Sequence, residues 1–270
     1  MQNPDNAARA DVSREELTSQ AVAVLVRLRA KSPRVHCITN SVAQNFTANA
    51  LLALGAVPSM TLSSEEIGAF VVRADALLVN LGTFDRERRE ATSIAVDAAA
   101  QNGRPWVLDP VFVDRAAQRA VYARDLIFLE PKAIRLNTAE FTALAEASPT
   151  HDAVSTFARD RRTIIGLSGE TDLITDGHRI ASIGNGHPLM ARVTAMGCAA
   201  SSIVAACLAV EEDALVATAA GLLITGVAGE MAAASAQAPG SFAAAILDAL
   251  YNLDSQTLAD KARMKNNTGE

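Results

Sequence analysis

Ala76-Leu77-Leu78-Val79-Asn80-Leu81-Gly82-Thr83, a charged helical stretch over 85–101, the break Asn102-Gly103, and then Trp106-Val107-Leu108-Asp109-Pro110 together decide the fold. The first run is uncharged, short and closed by turn residues, as a strand buried on both faces should be. A helix and a second short apolar run behind it predict a βαβ unit and a mainly parallel sheet. The same alternation extends both ways from this unit. Upstream, Ser13-Arg14-Glu15-Glu16 is a capping-box pattern that opens a helix to about Lys31, and Pro33 stops it. A strand is expected over 34–39, a helix over 41–54 ended by Gly55, and a strand over 58–62. Ser63-Ser64-Glu65-Glu66 then caps a helix to about Arg73. Downstream, strands are expected over 134–136, 163–167, 173–175 and 179–183, the last two as an antiparallel hairpin around Asp176-Gly177. From Gly197 three helices follow, broken near 211–213 and 239–240 and ending near Leu253. No repeat or linker divides the chain, so residues 1–270 are expected to form one α/β domain, with 1–12 and 255–270 as flexible ends.

Composition narrows the function. A net charge of −6 argues against general nucleic-acid binding, which needs clustered Lys and Arg. Aromatic residues make up only 4%, so Ala, Val, Leu and Ile must fill the core. Cys37, Cys198 and Cys207 lack zinc-type spacing and read as reduced thiols; with a polar segment 1–12 this gives a cytoplasmic expectation. The uncharged runs 193–210 and 215–229 are rich in Ala, Gly, Ser and Thr, and are expected to be buried helices, not membrane spans.

Chemistry concentrates at Val193-Thr194-Ala195-Met196-Gly197-Cys198. A small-residue turn feeding a helix leaves backbone N–H groups free at its N-terminus, where they can cradle an anion. Cys198 lies in the first turn of that helix, where the dipole favours a thiolate. Ligands of a parallel sheet bind at the carboxyl ends of its strands. Four polar clusters fall there: Thr39-Asn40, Asn80–Thr83, Asp109-Pro110 and Asn137-Thr138-Ala139-Glu140. Each suits a helix cap as well, but four on one rim favour a site. Asp109 and Glu140 could hold a hydrated Mg²⁺. Ser168-Gly169-Glu170 contacts a phosphate or simply turns a hairpin. His36 and His187 read as structural. Neither a Walker motif nor a Rossmann glycine pattern occurs.

In order, Val35–Asn40, Asn80–Thr83, Leu108–Val111, Asn137-x-x-Glu140, Asn185–Pro188, Gly197-Cys198 and Pro239–Phe242 resemble the hydroxyethylthiazole kinases of the ribokinase-like superfamily, over about 34–253. The resemblance implies a three-layer α/β/α domain that phosphorylates the primary hydroxyl of 4-methyl-5-(2-hydroxyethyl)thiazole in thiamine salvage. ATP is the implied co-substrate and Mg²⁺ the cofactor. It also implies a homotrimer with sites between subunits. On this reading Asp109 and Glu140 belong to the Mg²⁺–phosphate region, and Arg119, Ser168 and Thr194 to the ATP site. Gln44 and Ala195 contact the thiazole, and Ala195, Met196, Gly197 and Cys198 form the anion hole. Cys198 stands where the superfamily often has an aspartate base, and is expected to accept or guide the hydroxyl proton. The chain departs from the family at Ala195-Met196, where Gly-Thr is usual, at Phe112–Arg115, where a glycine-rich turn is usual, and at Gln44, where methionine is usual. A hydroxymethylpyrimidine-type kinase, a non-catalytic thiazole-binding descendant and covalent chemistry through Cys198 are the competing readings.

Overall fold

In chain order the elements are β1 (Ala10–Asp11), α1 (Arg14–Lys31), β2 (Arg34–Ile38), α2 (Gln44–Leu54), β3 (Val57–Ser59), α3 (Ile67–Arg73) and β4 (Ala76–Asn80). Next come α4 (Arg86–Gln101), β5 (Trp106–Asp109), α5 (Ala117–Ile127), β6 (Ala133–Asn137), α6 (Thr138–Ala145) and α7 (His151–Arg161). Then follow β7 (Ile164–Ser168), β8 (Asp172–Thr175), β9 (Arg179–Ile183) and a short 3₁₀ helix (Pro188–Arg192). The chain continues with α8 (Met196–Leu208), α9 (Ala214–Ser235), α10 (Pro239–Asn252), α11 (Ser255–Lys261) and β10 (Met264–Lys265). This is a computed structural model that describes residues 10, 11 and 13–265.

The strands form one sheet in the order β1-β9-β8-β7-β6-β5-β4-β2-β3, with β10 also on β9. From β3 to β7 all pairs are parallel, and β7-β8-β9 is antiparallel, as the hairpin at Asp176-Gly177 predicts. Strand side chains alternate between two cores. Ala76, Leu78 and Val107 pack with α1, α2 and α8 to α11. Leu77, Val79, Trp106 and Leu108 pack with α3 to α7. The result is the expected three-layer α/β/α arrangement.

Small residues let the central helices lie close to one another. A Cβ added at Gly221 of α9 would fall 2.8 Å from Val204 Cα of α8, so the two backbones nearly touch. That contact explains the Ala- and Gly-rich composition of both uncharged runs. Helix α9 has the length and hydropathy to cross a membrane, yet 89% of its apolar window is buried inside the protein. Larger anchors sit at the periphery. Phe141 of α6 and Phe242 of α10 are fully buried, and truncating either to Ala would cost about 3–5 kcal/mol.

Four local expectations are corrected. Helix α2 begins at Gln44, not Ser41, because the Ala43 N–H donates to both the main-chain and side-chain oxygens of Asn40 and turns residues 41–43. Helix α3 begins at Ile67, not Ser63: Glu66 accepts a hydrogen bond from the Thr61 hydroxyl and closes no capping box. The strand expected over 58–62 is the three-residue edge strand β3. Within the end expected to be flexible, α11 forms, capped by Asp254 and anchored by the fully buried Leu258, and β10 pairs with β9. At the other end Ala10 and Asp11 also pair with β9. The expectations for 1–9, 12 and 266–270 lie outside the described residues.

Candidate active site

The small-residue turn singled out in the sequence follows the 3₁₀ helix and opens α8. Ala195 caps it at φ 71°, a left-handed conformation that costs an alanine on the order of 1 kcal/mol relative to glycine. The first bond of the helical ladder runs from the Ala199 N–H to the Ala195 carbonyl, 2.8 Å away. The amides of Met196, Gly197 and Cys198 therefore lie outside the ladder and face forward, as an anion cradle requires.

A polar network fixes this turn to the sheet. Asn80, at the end of β4, donates to Asp109 Oδ2 (2.7 Å) and to Cys198 Sγ (3.2 Å). Asn40 donates to Asn80 Oδ1 (3.2 Å) and to the same sulfur (3.4 Å). Ser201, one turn into α8, donates to Asp109 Oδ2 at 2.9 Å. Gly82 completes the arrangement: a Cβ there would lie 2.5 Å from the Asn40 side-chain nitrogen. Register makes this convergence possible, because Asn80 and Asp109 are direct partners on β4 and β5.

The electrostatics correct the expectation for Cys198. Burial, and then the Asp109 carboxylate, push its thiol up to about 11, despite the amide donors on its sulfur. At neutral pH it is a thiol, not the thiolate that helix position alone suggested. Asp109 is itself pushed up to about 6, first by burial and partly by Glu140, with Arg135, Ser201 and Asn80 opposing.

Glu140 is fully engaged by backbone. Its Oε2 accepts the Asn137 N–H (2.9 Å) while Asn137 Oδ1 accepts the Glu140 N–H (2.9 Å), a reciprocal capping box. Its Oε1 accepts the Phe112 N–H at 3.1 Å. Phe112 is held at φ 61° and is 56% exposed, a strained backbone for a bulky residue. Asp109 differs, because its Oδ1 is buried and has no partner among the described residues. No cluster of three or more His, Cys, Asp or Glu side chains occurs among the described residues. The donor set still fits Mg²⁺, which keeps several waters and takes one or two carboxylates plus substrate phosphates.

Beside α8 opens a cleft of about 810 Å³, lined among others by Arg135, Ser168, Asp172, Asn185, Met190, Met196, Gly197, Leu222, Thr225 and Arg263. Asp172 Oδ1 accepts the Gly169 N–H at 3.0 Å and shapes the Ser168–Glu170 turn; burial raises this carboxyl to about 6. The opposite wall is tied to the C-terminal segment. Glu230 Oε1 accepts from Asn185, Gly186 and Arg263, while Asn185 also donates to the Lys261 carbonyl at 2.8 Å.

Of the expected site residues, Ser168, Met196 and Gly197 line the cleft, while Cys198 faces the Asn40–Asn80 network. Ser168 donates to the Leu136 carbonyl. Gln44 begins α2 immediately after Ala43, whose N–H is held by Asn40 on the Cys198 side of the rim. Thr194 is exposed in the turn before α8. Arg119 lies elsewhere: it donates to the Val111 carbonyl at 2.9 Å and sits over the Phe84 ring, outside the cleft lining. His36 is structural as expected, its ring nitrogens engaging the Ser59 hydroxyl and the Thr61 carbonyl, and burial lowers it to about 4. His187 caps the 3₁₀ helix. Arg135 and Ser201 were missed.

A mainly parallel sheet with free helix amides at its strand ends, a buried carboxylate with one unpartnered oxygen and an adjoining cleft define a small-molecule kinase of the ribokinase-like class. The family model described as the hydroxyethylthiazole kinase family matches residues 25–256, and the chain belongs to that family. It is 46% identical to a hydroxyethylthiazole kinase of Granulibacter bethesdensis, over 92% of this chain and 95% of that one. The solved structure of a hydroxyethylthiazole kinase from Pyrococcus horikoshii OT3 matches with a TM-score of 0.88 and 34% identity, covering 92% of this chain and 98% of that chain. A ribokinase-like superfamily protein from Enterococcus faecalis V583 shares the fold, with a TM-score of 0.68 at 13% identity, covering 94% of this chain and 100% of that chain.

Proposed function

We propose that this chain transfers the γ-phosphoryl group of ATP to the primary hydroxyl of 4-methyl-5-(2-hydroxyethyl)thiazole, a step of thiamine salvage. The observation that carries this reading is the meeting of the α8 amides, the unpaired Asp109 Oδ1 and the cleft at one end of the sheet. The cleft takes the nucleotide, with Ser168 on its phosphate side and Met190 and Leu222 offering apolar wall. The amides of Met196, Gly197 and Cys198 receive the migrating phosphoryl group, whose loose transition state needs positioning and charge neutralisation more than a strong base.

Mg²⁺, when bound, would supply neutralisation of the charge on the nucleotide phosphates. Asp109 would hold it through Oδ1, and Glu140, with both oxygens already accepting backbone N–H groups, would accept from its bound waters. Gln44 and Ala195 face the alcohol. Cys198, a thiol, guides the hydroxyl by accepting its hydrogen bond, and the proton passes to water as the new ester forms. Arg119 acts through the 110–113 turn that it braces.

We further propose a cytoplasmic homotrimer with sites between subunits. In support, the cysteines are unpaired, and Leu52, Val57, Phe70 and Val72 expose apolar surface around the edge strand β3. Light scattering across a dilution series tests the trimer.

An ADP-release assay with the thiazole alcohol, with a hydroxymethylpyrimidine and with no alcohol tests the activity. Release that requires the thiazole alcohol is the expected result. Release only with the pyrimidine would reassign the substrate. Thiazole binding without release from any alcohol would refute catalysis.

A further inference from the structure

The charged side chains that line the cleft are evenly split, with Glu170 and Asp172 set against Arg135 and Arg263. Asp109 and Glu140 are buried and lie outside that lining. Arg263 is committed, since it donates to the Gly184 carbonyl and to Glu230. Arg135 is not. It projects from β6 between β5, which ends at Asp109, and β7, which ends at Ser168. Among the described residues no carboxylate forms an ion pair with it, and its buried Nε has no hydrogen-bond partner. Its guanidinium presses on the anion cradle itself: a Cβ at Gly197 would lie 2.7 Å from Arg135 Nη1. It is near enough to influence Asp109, Asp172 and Cys198 electrostatically.

We propose that Arg135 is a catalytic residue, whose guanidinium meets the transferring phosphoryl group together with the α8 amides. This rests on the kinase reading above. The alcohol oxygen bonds to the γ-phosphorus as the bond from that phosphorus to the β-phosphate oxygen breaks. The electron pair of the broken bond leaves with ADP, and the alcohol proton passes to water. Negative charge builds on the equatorial oxygens, beside an arginine whose donors are not already spent on protein partners. Asp172 and Asp109 flank the guanidinium without pairing to it, which holds it in the cleft without neutralising it. The same placement explains the glycine at 197, since a side chain there would displace Arg135.

The test compares wild type with Arg135→Met and Arg135→Lys in the intact chain. For Arg135→Met the expected result is a fall in kcat of about 10³-fold, with KM for the alcohol and the Kd for ADP each within about threefold. Added guanidinium ion should restore part of the rate to Arg135→Ala. Should Arg135→Met fail to fold, calorimetry on Arg135→Lys decides. In the wild type, aluminium fluoride should tighten ADP binding as a phosphoryl mimic, and that gain should drop by at least about tenfold in Arg135→Lys. A folded Arg135→Met with kcat within about fivefold of wild type, or an undiminished fluoride gain in Arg135→Lys, overturns the inference. Its failure is separable from that of the kinase reading, which falls only if the wild type itself releases no ADP.

Discussion

Gly197→Ala isolates the contact between the anion cradle and Arg135. The new Cβ would stand 2.7 Å from Nη1, 3.5 Å from Cζ and 3.6 Å from Nη2, so ordinary contact at 3.4 Å requires the nearest nitrogen to withdraw by 0.7 Å (3.4 − 2.7). The far end of an arginine can move that distance at little cost. Folding should barely suffer, because replacing a helical glycine by alanine gains roughly 0.5–1 kcal/mol of helix propensity. Catalysis should suffer, since a misplacement on the order of 1 Å costs about 10²-fold. Thermal melting and steady-state kinetics should therefore diverge, with an unchanged or raised Tm beside a kcat reduced about 10²-fold. The double variant with Arg135→Lys identifies the route. If the methyl acts by displacing the guanidinium, it adds little in that background. An unchanged kcat in Gly197→Ala, or fully additive losses in the double variant, would refute the reasoning.

Cys198→Ala should retain much of its rate, losing at most about 10²-fold in kcat, because a thiol held near 11 is not an ionised base at neutral pH. Its kcat profile between about pH 6 and 9 should keep the wild-type shape, and total loss with ADP binding intact would contradict this. Asp172→Asn tests the buried carboxyl by thermal melts. The folded pKa of about 6 exceeds the ordinary 3.8, so the folded state retains a proton that the unfolded state releases, and stability falls as pH rises from about 4 to 6. The gain from Asn should be about 1 kcal/mol larger at pH 8 than at pH 5, and an equal gain at both would count against the assignment. Glu230→Ala removes the acceptor shared by Asn185, Gly186 and Arg263, and should raise KM for ATP several-fold while KM for the alcohol holds; equal change in both would sever that wall from the nucleotide.

The layers of the fold were readable because burial on both faces leaves a plain sign: uncharged runs such as 76–81, punctuated by Asn, Asp and Gly. The α8 turn was readable for a related reason, since a small-residue turn before an apolar helix has few other uses. Arg135 was not readable. An arginine inside the strand Ala133–Asn137 looks like a side chain turned to solvent, and its meaning arises only when β6 takes its place beside β5 and α8 returns from 60 residues downstream. Ser201 was hidden in a run of alanines and serines for the same reason. Glu140 shows the opposite case. Its capping role was visible in Asn137-x-x-Glu140, and the structure adds the Phe112 amide, which no local spacing encodes. The tail misled by composition, although Asp254-x-x-Thr257 offered a cap signal.

The bonds that join Asn185 to Lys261 and Arg263 span 76 and 78 residues, and they give the molecule an order of completion. Strands β2 to β9 and the α8 turn come from residues already made, whereas β10 and the far wall of the cleft wait for the residues near 263. On the reading proposed above, a chain cut before 261 should therefore keep its α8 turn and lose phosphoryl transfer.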